Sequence, residues 1–209
     1  INNKATIAHF TKEKFSSLKL LHPSKEEQKQ IAKFLDFQTS KIDLEIKKNE
    51  KLVTLLQEKR QATINHAVTK GLDDSVPMKD SGVEWIGNIP KEWNIMPLKF
   101  NNVEIIAGQS PSSSSYSEIK GIPFLQGCEG FNEIYPSSTI LTTEPTKIVE
   151  NNTILISVRA PVGELNIADS QFCIGRGLGG IAPISKKMNY KFIYYFLKEG
   201  RKILQSVSR

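Results

Sequence analysis

The sequence predicts an α+β fold in which a domain of short strands and helices is attached to one long helix. Two patterns indicate this class: apolar residues recur at steps of three and four through 24–71, whereas short apolar runs separated by glycine and proline fill 98–209. A helix of roughly 45 residues is about 68 Å long. The core of a 209-residue chain cannot bury such a helix, so we expect a spacer, a coiled-coil arm or a docking surface.

The first segment, 1–23, contains a short predicted strand at 5–7 and one predicted helical turn at 11–15. Its net charge is +3. A segment of this length buries too little surface to fold alone. We therefore expect it to need a partner surface for its apolar side chains, which are Phe15, Leu18, Leu20 and Leu21.

The long helix is predicted to begin after Pro23 and to end at Lys70. Ser24 is suited to cap the first turn, and Glu27 three residues later completes a capping-box pattern. Gly71 follows at the position where glycine commonly terminates a helix. Six apolar residues form a predicted helix-pairing seam: Ile31, Leu35, Ile42, Ile46, Val53 and Leu56.

Two polar residues, Gln38 and Asn49, interrupt this seam. One interpretation is that they are merely tolerated there. The other is that they fix the register of the paired helices and the choice of partner, a known use of polar residues in such seams. The sequence leaves both interpretations open.

The segment 72–97 is predicted to be a connector that wraps a surface, because it is too apolar for a flexible linker. Trp85 and Trp93 are interpreted as packing anchors rather than as platforms for base stacking. Five prolines and glycines are expected to prevent regular structure here: Pro77, Gly82, Gly87, Pro90 and Pro97.

The remaining segment, 98–209, is predicted to form a domain of short strands with one helix near its end. The helix is expected over 189–207, with Phe192, Phe196, Ile203 and Leu204 on one stripe and a weak point at Gly200. The candidate strands are 103–106, 139–141, 153–158 and 172–174. The glycine-rich run 175–180 does not match a nucleotide-binding spacing and is interpreted as a tight backbone turn.

Composition and motif spacing argue against an enzyme, a metal site and a membrane protein. The sequence contains no phosphate-binding loop, no metal-ligand spacing and no nucleophile with a base nearby, so we predict no catalytic residue and no metal ligand. No apolar run reaches membrane-spanning length. Cys128 and Cys173 are far apart and are interpreted as packing residues. They are consistent with a reducing compartment, so we expect a cytoplasmic protein.

The charge distribution favours a polyanionic partner. The net charge of +6 comes from 1–23 and 98–209, which carry +3 each, whereas 24–97 is neutral. Polar and basic loop residues are therefore candidates for hydrogen bonds to base edges or phosphates. They are Gln109, Ser110, Lys120, Gln126, Arg159 and Arg176.

Arg159 stands out among these candidates. It follows the apolar run 153–158 and precedes Ala160-Pro161, so a stiff turn orients a charge at the end of a predicted strand. Such a residue is suited to reading a DNA base edge. A structural salt bridge is the alternative, and the sequence does not decide between the two.

Several strings resemble the specificity subunits of type I restriction–modification systems. The run PSKEEQKQIAKFLD at 23–36 resembles the opening of that family's spacer helix, and EKRQA at 58–62 with AVTKGL at 67–72 resembles its far end. The lead-in to a target-recognition domain is matched by PMKDSGVEWIG at 77–87 and IPKEW at 89–93. Signatures inside that domain are similar to PFLQG at 123–127 and VRAPVG at 158–163.

This resemblance implies a non-enzymatic subunit that recognises double-stranded DNA. In the family, two target-recognition domains joined by two antiparallel spacer helices each read half of a split sequence. The helices dock methyltransferase subunits, which use S-adenosylmethionine, and a separate motor–nuclease subunit cuts the DNA. The resemblance thus implies no cofactor in this chain. Of the candidate contact residues, only Arg159 is carried over from a motif match.

The chain departs from the family pattern because it carries one spacer helix. The resemblance implies a target-recognition-domain tail at 1–23, a spacer helix at 24–71, a connector at 72–97 and an incomplete target-recognition domain at 98–209. We hypothesise an antiparallel homodimer in which each tail completes the partner's domain. The alternative is that the second half belongs to the same, longer subunit. A non-DNA-binding coiled-coil adaptor is the alternative function.

Overall fold

The computed structural model describes residues 11–100, 102–184 and 188–201. The chain divides into two compact units, one up to Leu56 and one from Gln57 onward. The strand predicted at 5–7 and the predicted helical positions Ile203 and Leu204 lie outside the described residues.

The first unit contains a short helix, α1 (Lys12–Ser16), and most of the long helix, α2 (Lys25–Lys70). The hydroxyl of Thr11 caps α1 by accepting a hydrogen bond from the Lys14 amide at 3.3 Å. The predicted cap of α2 is confirmed, because the Glu27 amide donates to the Ser24 hydroxyl at 3.2 Å. The side chain of Gln28 adds a bond to the Pro23 carbonyl at 2.9 Å.

The far end of α2 is part of the second unit, where it is packed against the rest of the domain. Val68 and Thr69 are buried, in contrast to the exposed residues of the earlier turns. Lys70 donates from its Nζ atom to the Ile86 carbonyl at 3.2 Å and also to the Asn88 carbonyl. Gly71 has a φ of 86°, the left-handed conformation predicted for a glycine at this position.

The connector corrects the expectation that prolines and glycines would prevent regular structure. It forms an antiparallel hairpin of β1 (Met78–Asp80) and β2 (Asn88–Pro90). Pro90 is tolerated because both strands of this two-stranded sheet are edge strands. Gly82 and Gly87, both at positive φ, allow the chain to reverse between the strands.

The two tryptophans of the connector are packing anchors, as predicted. Trp85 lies 5.3 Å from Phe196 and Trp93 lies 6.3 Å from Phe192, measured between ring centroids. Both phenylalanines belong to α3 (Tyr190–Glu199). Asn189 caps α3, which ends at Glu199 with Gly200 as its C-cap; of the helix predicted over 189–207, residues 202–207 lie outside the described part of the chain. The predicted weak point is therefore where the helix stops.

The remaining described strands form two sheets. They are β3 (Val103–Ala107), β4 (Tyr116–Ser117), β5 (Ile122–Leu125), β6 (Leu141–Thr142), β7 (Ile148–Val149), β8 (Ile154–Ser157), β9 (Leu165–Ile167), β10 (Phe172–Ile174) and β11 (Leu178–Pro183). Short 3₁₀ turns lie at Leu98–Phe100, Ser113–Ser115 and Cys128–Gly130. The five-stranded sheet has the order β4-β6-β5-β10-β7, and the four-stranded sheet has the order β3-β11-β8-β9.

The four-stranded sheet is the middle layer of the domain. On β8, Ile154 belongs to a core shared with α3, while Leu155 belongs to a core shared with the five-stranded sheet. On β11, Ile181 belongs to the core shared with α3, and Leu178 belongs to the core shared with the five-stranded sheet. This alternation follows from the two-residue period of a strand that is buried on both faces.

Sequence patterns located some of these strands and missed others. The predicted strands 103–106, 153–158 and 172–174 appear with small boundary shifts, whereas the strand predicted at 139–141 appears at Leu141–Thr142. The glycine-rich run is a turn only at 175–177, and its second half belongs to β11. Within the described part of the chain, no helix combines the length and the apolar character needed to cross a membrane.

Truncating Leu155 should destabilise the domain strongly, because this side chain is fully buried between the two sheets. We expect Leu155→Ala to lower the free energy of unfolding by about 2–5 kcal/mol, since it leaves a cavity. Leu72→Ala is the matched control, because Leu72 is 94% exposed. Urea denaturation of both variants checks this, and equal losses would contradict the layered core.

Candidate nucleic-acid interface

The ends of four strands converge at one edge of the domain. β5 and β10 are parallel, with Leu125 opposite Ile174, so both finish at this edge. The last residues of β3 and β8, Ala107 and Ser157, lie opposite the first residues of β11. Five of the six predicted contact residues follow these strand ends and are brought to the same edge: Gln109, Ser110, Gln126, Arg159 and Arg176. We call this group the strand-end cluster.

A hydrogen-bond network joins three members of the strand-end cluster. The Ser110 hydroxyl donates to Oε1 of Gln126 at 2.8 Å, and it accepts from the backbone amide of Arg176 at 3.2 Å. The amide of Gln109 donates to the carbonyl of Ile174 at 2.9 Å, the last residue of β10. The network fixes the backbone of Arg176 while its side chain remains exposed.

Close backbone packing explains the glycines of the turn that carries Arg176. A Cβ atom on Gly177 would lie 2.6 Å from the carbonyl oxygen of Gln126, and one on Gly175 would lie 2.7 Å from Oε1 of Gln126. A Cβ on Gly108 would lie 2.1 Å from the carbonyl oxygen of Gly175. Larger residues at these positions would therefore separate the loops that form the cluster.

Ser157 holds the turn that carries Arg159. Its backbone amide donates to the Glu164 carbonyl and its carbonyl accepts from Gly163, both at 2.9 Å. Its hydroxyl accepts from the Glu164 amide at 2.8 Å and donates to the Pro161 carbonyl at 2.5 Å. The turn is thereby closed at its base, and Arg159 is exposed on it.

Arg159 lies beside Gln126 and Gly177 at a cavity of about 200 Å³. Among the described residues, no carboxylate lies within 4.0 Å of the guanidinium of Arg159 or of Arg176. Both cations are therefore available to a ligand. The alternative of a structural salt bridge at Arg159 has no partner in the part of the chain that the structure describes.

The cysteine at this cavity is poorly suited to nucleophilic chemistry. Burial raises the pKa of the Cys128 thiol, and the carboxylates of Glu129 and Glu164 act in the same direction. The thiol therefore stays protonated at neutral pH. Within the described residues, no cluster of three His, Cys, Asp or Glu side chains could hold a metal ion.

Lys120 is the predicted contact residue that the fold does not bring to the cluster. It precedes β5, whereas Gln126 follows that strand, so the two lie at opposite ends of β5. The amide of Lys120 donates to the Ser117 hydroxyl at 3.3 Å, within a tight connection from β4 to β5.

Sequence reasoning missed Thr146 and Lys147, which also lie at the strand-end edge. The Ile174 amide donates to the Lys147 carbonyl at 2.9 Å, and the Thr146 hydroxyl donates to the Gln109 carbonyl. Lys147 is exposed and adds a third cation to Arg159 and Arg176. Its position depends on the pairing of β7 with β10, and a two-residue strand gives no periodic signal.

The helix-pairing seam of α2 is exposed in the part of the chain that the structure describes. Its six predicted residues, from Ile31 to Leu56, are each 45–59% exposed. The helix also carries a second apolar stripe that sequence reasoning missed, with members 50–60% exposed: Phe34, Phe37, Leu44, Leu52 and Leu55. At 3.6 residues per turn the two stripes lie roughly a third of a turn apart.

Sequence comparisons connect the chain to one family. The profile described as "Type I restriction modification DNA specificity domain" matches residues 1–54 and 90–209. A Methanocaldococcus jannaschii protein, provisionally named the type I restriction enzyme MjaX specificity subunit, is 43% identical over 182 residues. The MjaVIII specificity subunit of the same organism is 27% identical over 207 residues. The matches cover 86% and 91% of this chain but only 41% and 46% of those relatives.

Solved structures of type I restriction–modification proteins also match this chain. The crystal structure of the HsdS subunit from Thermoanaerobacter tengcongensis matches with a TM-score of 0.62 and 28% identity, over 90% of this chain and 44% of that one. A chain from a study of complex assembly and conformational transition of the type I R-M system matches with a TM-score of 0.61 and 28% identity. The match covers 90% of this chain and 43% of that one. The chain thus spans less than half of the proteins that it resembles.

Gly177 and Gly179 provide a matched test of how closely the turn that carries Arg176 packs against the loop of Gln126. Gly177→Ala should lower the free energy of unfolding by about 1–3 kcal/mol, because the added methyl overlaps the Gln126 carbonyl. Gly179→Ala should be tolerated, because its methyl would lie 3.4 Å from Ile156 in ordinary contact. Urea denaturation compares the two, and a tolerated Gly177→Ala would mean that these loops are not closely packed.

Proposed function

Because the chain belongs to the family of type I restriction modification DNA specificity domains, we propose that it is a sequence-specific DNA-recognition subunit of a type I restriction–modification complex. It acts in the cytoplasm, and its domain reads one half of a split DNA sequence. It performs no catalysis itself and needs no cofactor for recognition.

The observation that carries this proposal is the strand-end cluster. Three exposed cations, Arg159, Arg176 and Lys147, share an edge with the hydrogen-bonding side chains of Gln109 and Gln126. Cations neutralise phosphates, and arginine or glutamine side chains form paired hydrogen bonds with guanine or adenine. The network around Ser110 holds these groups before DNA arrives, which reduces the entropy cost of binding. A coiled-coil adaptor would account for α2 but not for this edge.

The two apolar stripes of α2 are consistent with α2 binding two different protein partners. Burying a half-exposed leucine or isoleucine contributes about 1 kcal/mol, so each stripe offers a substantial association energy. We assign the seam from Ile31 to Leu56 to a second, antiparallel spacer helix. We assign the stripe from Phe34 to Leu55 to a methyltransferase subunit, which carries S-adenosylmethionine. The motor–nuclease subunit completes the assembly.

The second spacer helix comes from another copy of this chain or from the other half of a longer subunit. A groove that is exposed among the described residues favours a partner whose N-terminal tail packs there. On the four-stranded sheet, Ile105 and Val158 are 59% and 53% exposed at a groove of about 260 Å³. In the tail, Leu18, Leu20 and Leu21 are 60–90% exposed. We propose that the tail of the partner copy covers this groove.

Arg159→Ala should weaken sequence-specific binding by roughly 1–3 kcal/mol, since a bidentate contact to a base would be lost. Gel-shift assays at several salt concentrations measure this on a duplex obtained by pooled-oligonucleotide selection with the methyltransferase partner. The control is Lys91→Ala, which removes one positive charge from an exposed position in the connector.

Two results would contradict the proposed role. If Arg159→Ala kept its affinity but melted at a lower temperature, the residue would be structural. If the wild-type chain bound all duplexes equally weakly after extrapolation over salt, the adaptor function would be favoured instead.

Replacing Leu35, Ile42 and Leu56 by Asp should abolish helix pairing, because buried carboxylates would interrupt the seam. Sedimentation velocity measures the association state. The control replaces Ala32, Ser40 and Thr54 by Asp. These positions lie on the polar face of α2, so the control adds the same negative charge away from the seam. A wild-type chain that is strictly monomeric would exclude the homodimer, and a seam variant that still paired would show that another face associates.

A further inference from the structure

Helix α3 carries a polar stripe in which Tyr194 is buried in the core shared with the four-stranded sheet, whereas Lys191 and Tyr195 are exposed and Lys198 is partly exposed. Lys191, Tyr194, Tyr195 and Lys198 have the spacing i, i+3, i+4 and i+7, so they lie on one face. Phe192 and Phe196 lie on a different face and contact the tryptophans of the connector.

A small cleft forms where this stripe meets the end of α2. Arg60 of α2 and Tyr135 complete its rim, and Ile134 and Ile167 form its apolar wall. The cleft has a volume of about 90 Å³, which suits a single small group. All of its residues belong to the second unit, from Gln57 onward. We call it the Lys–Tyr cleft.

The Lys–Tyr cleft is positively charged. Among the described residues, neither Lys191 nor Lys198 has a carboxylate within 4.0 Å, and Lys198 donates from Nζ to the Tyr194 hydroxyl at 3.2 Å. Arg60 lies 3.5 Å from Glu133, but both side chains are more than half exposed, so this pair neutralises little. The hydroxyls of Tyr135 and Tyr195, which are partly exposed, add hydrogen-bond donors.

The cleft lies at the opposite edge of the four-stranded sheet from the strand-end cluster. Its wall residue Ile167 pairs with Ile154, the first residue of β8, whereas Arg159 follows the last residue of that strand. A DNA backbone would need a row of open cations, but this site is one recess with an apolar wall. These features favour a carboxylate side chain on a protein over a duplex.

We propose that the Lys–Tyr cleft docks a carboxylate from an acidic segment of a partner protein. Resting on the function proposed above, the partner is the methyltransferase subunit. The contact would fix that subunit against α3 and the last turns of α2, in addition to its apolar contact along the helix. Charge complementarity at such a rim mainly sets association rate and orientation.

Titration with an acidic peptide tests the cleft directly. Amide NMR of the full chain with acetylated hexaglutamate at low salt should shift resonances of 190–198 and of Arg60. Lys191→Gln with Lys198→Gln should weaken binding by roughly tenfold. The control, Lys25→Gln with Lys91→Gln, removes two exposed lysines elsewhere and should bind like the wild type. Shifts centred on Arg159 and Arg176, or binding insensitive to the cleft substitutions, would overturn the proposal.

Binding to the purified methyltransferase subunit and to duplex DNA separates this proposal from the function above. The cleft variant should lose affinity for the subunit and keep its affinity for DNA. A loss of DNA affinity with unchanged subunit affinity would overturn the cleft proposal and identify a DNA contact. A wild-type chain that binds no duplex would refute the proposed function, whereas the peptide titration would still report on the cleft.

Discussion

Burial of adjacent residues of β8 in two different cores is the constraint on which the domain depends. Ile154 and Leu155 are adjacent and fully buried, yet one faces α3 and the other faces the five-stranded sheet. A shift of the pairing by one residue would exchange these faces along the whole strand. The register of β8 and β11 is therefore fixed. With it, the loops that carry Arg159 and Arg176 are fixed at one edge.

The two units of the chain meet different physical requirements. The domain from Gln57 onward has two buried apolar cores, and its exposed cations and amides remain available for a polar ligand. The helix before that point leaves two apolar stripes in solvent. Exposed apolar stripes of this length are characteristic of association surfaces. The proposed recognition of DNA and the proposed pairing of helices therefore rest on different parts of the chain.

Local patterns in the sequence predicted the features that depend on near neighbours. Ser24 and Gly71 marked the ends of α2, because capping depends on a few adjacent residues. The position of Arg159 after an apolar run likewise indicated a strand end. Lys147 and the hairpin of the connector were missed, because two- and three-residue strands have no readable period. Lys120 was grouped with residues at the other end of β5, since sequence gives loop identity but not the edge on which a loop lies.

Amide hydrogen–deuterium exchange, with and without a selected target duplex, tests the central claim most directly. The account predicts that DNA slows exchange in the loops at 108–110, 126–127, 158–163 and 175–177. Exchange at 118–121, at the opposite end of β5, should not change. Protection confined to 118–121 or to α2, with none at the four strand ends, would contradict it.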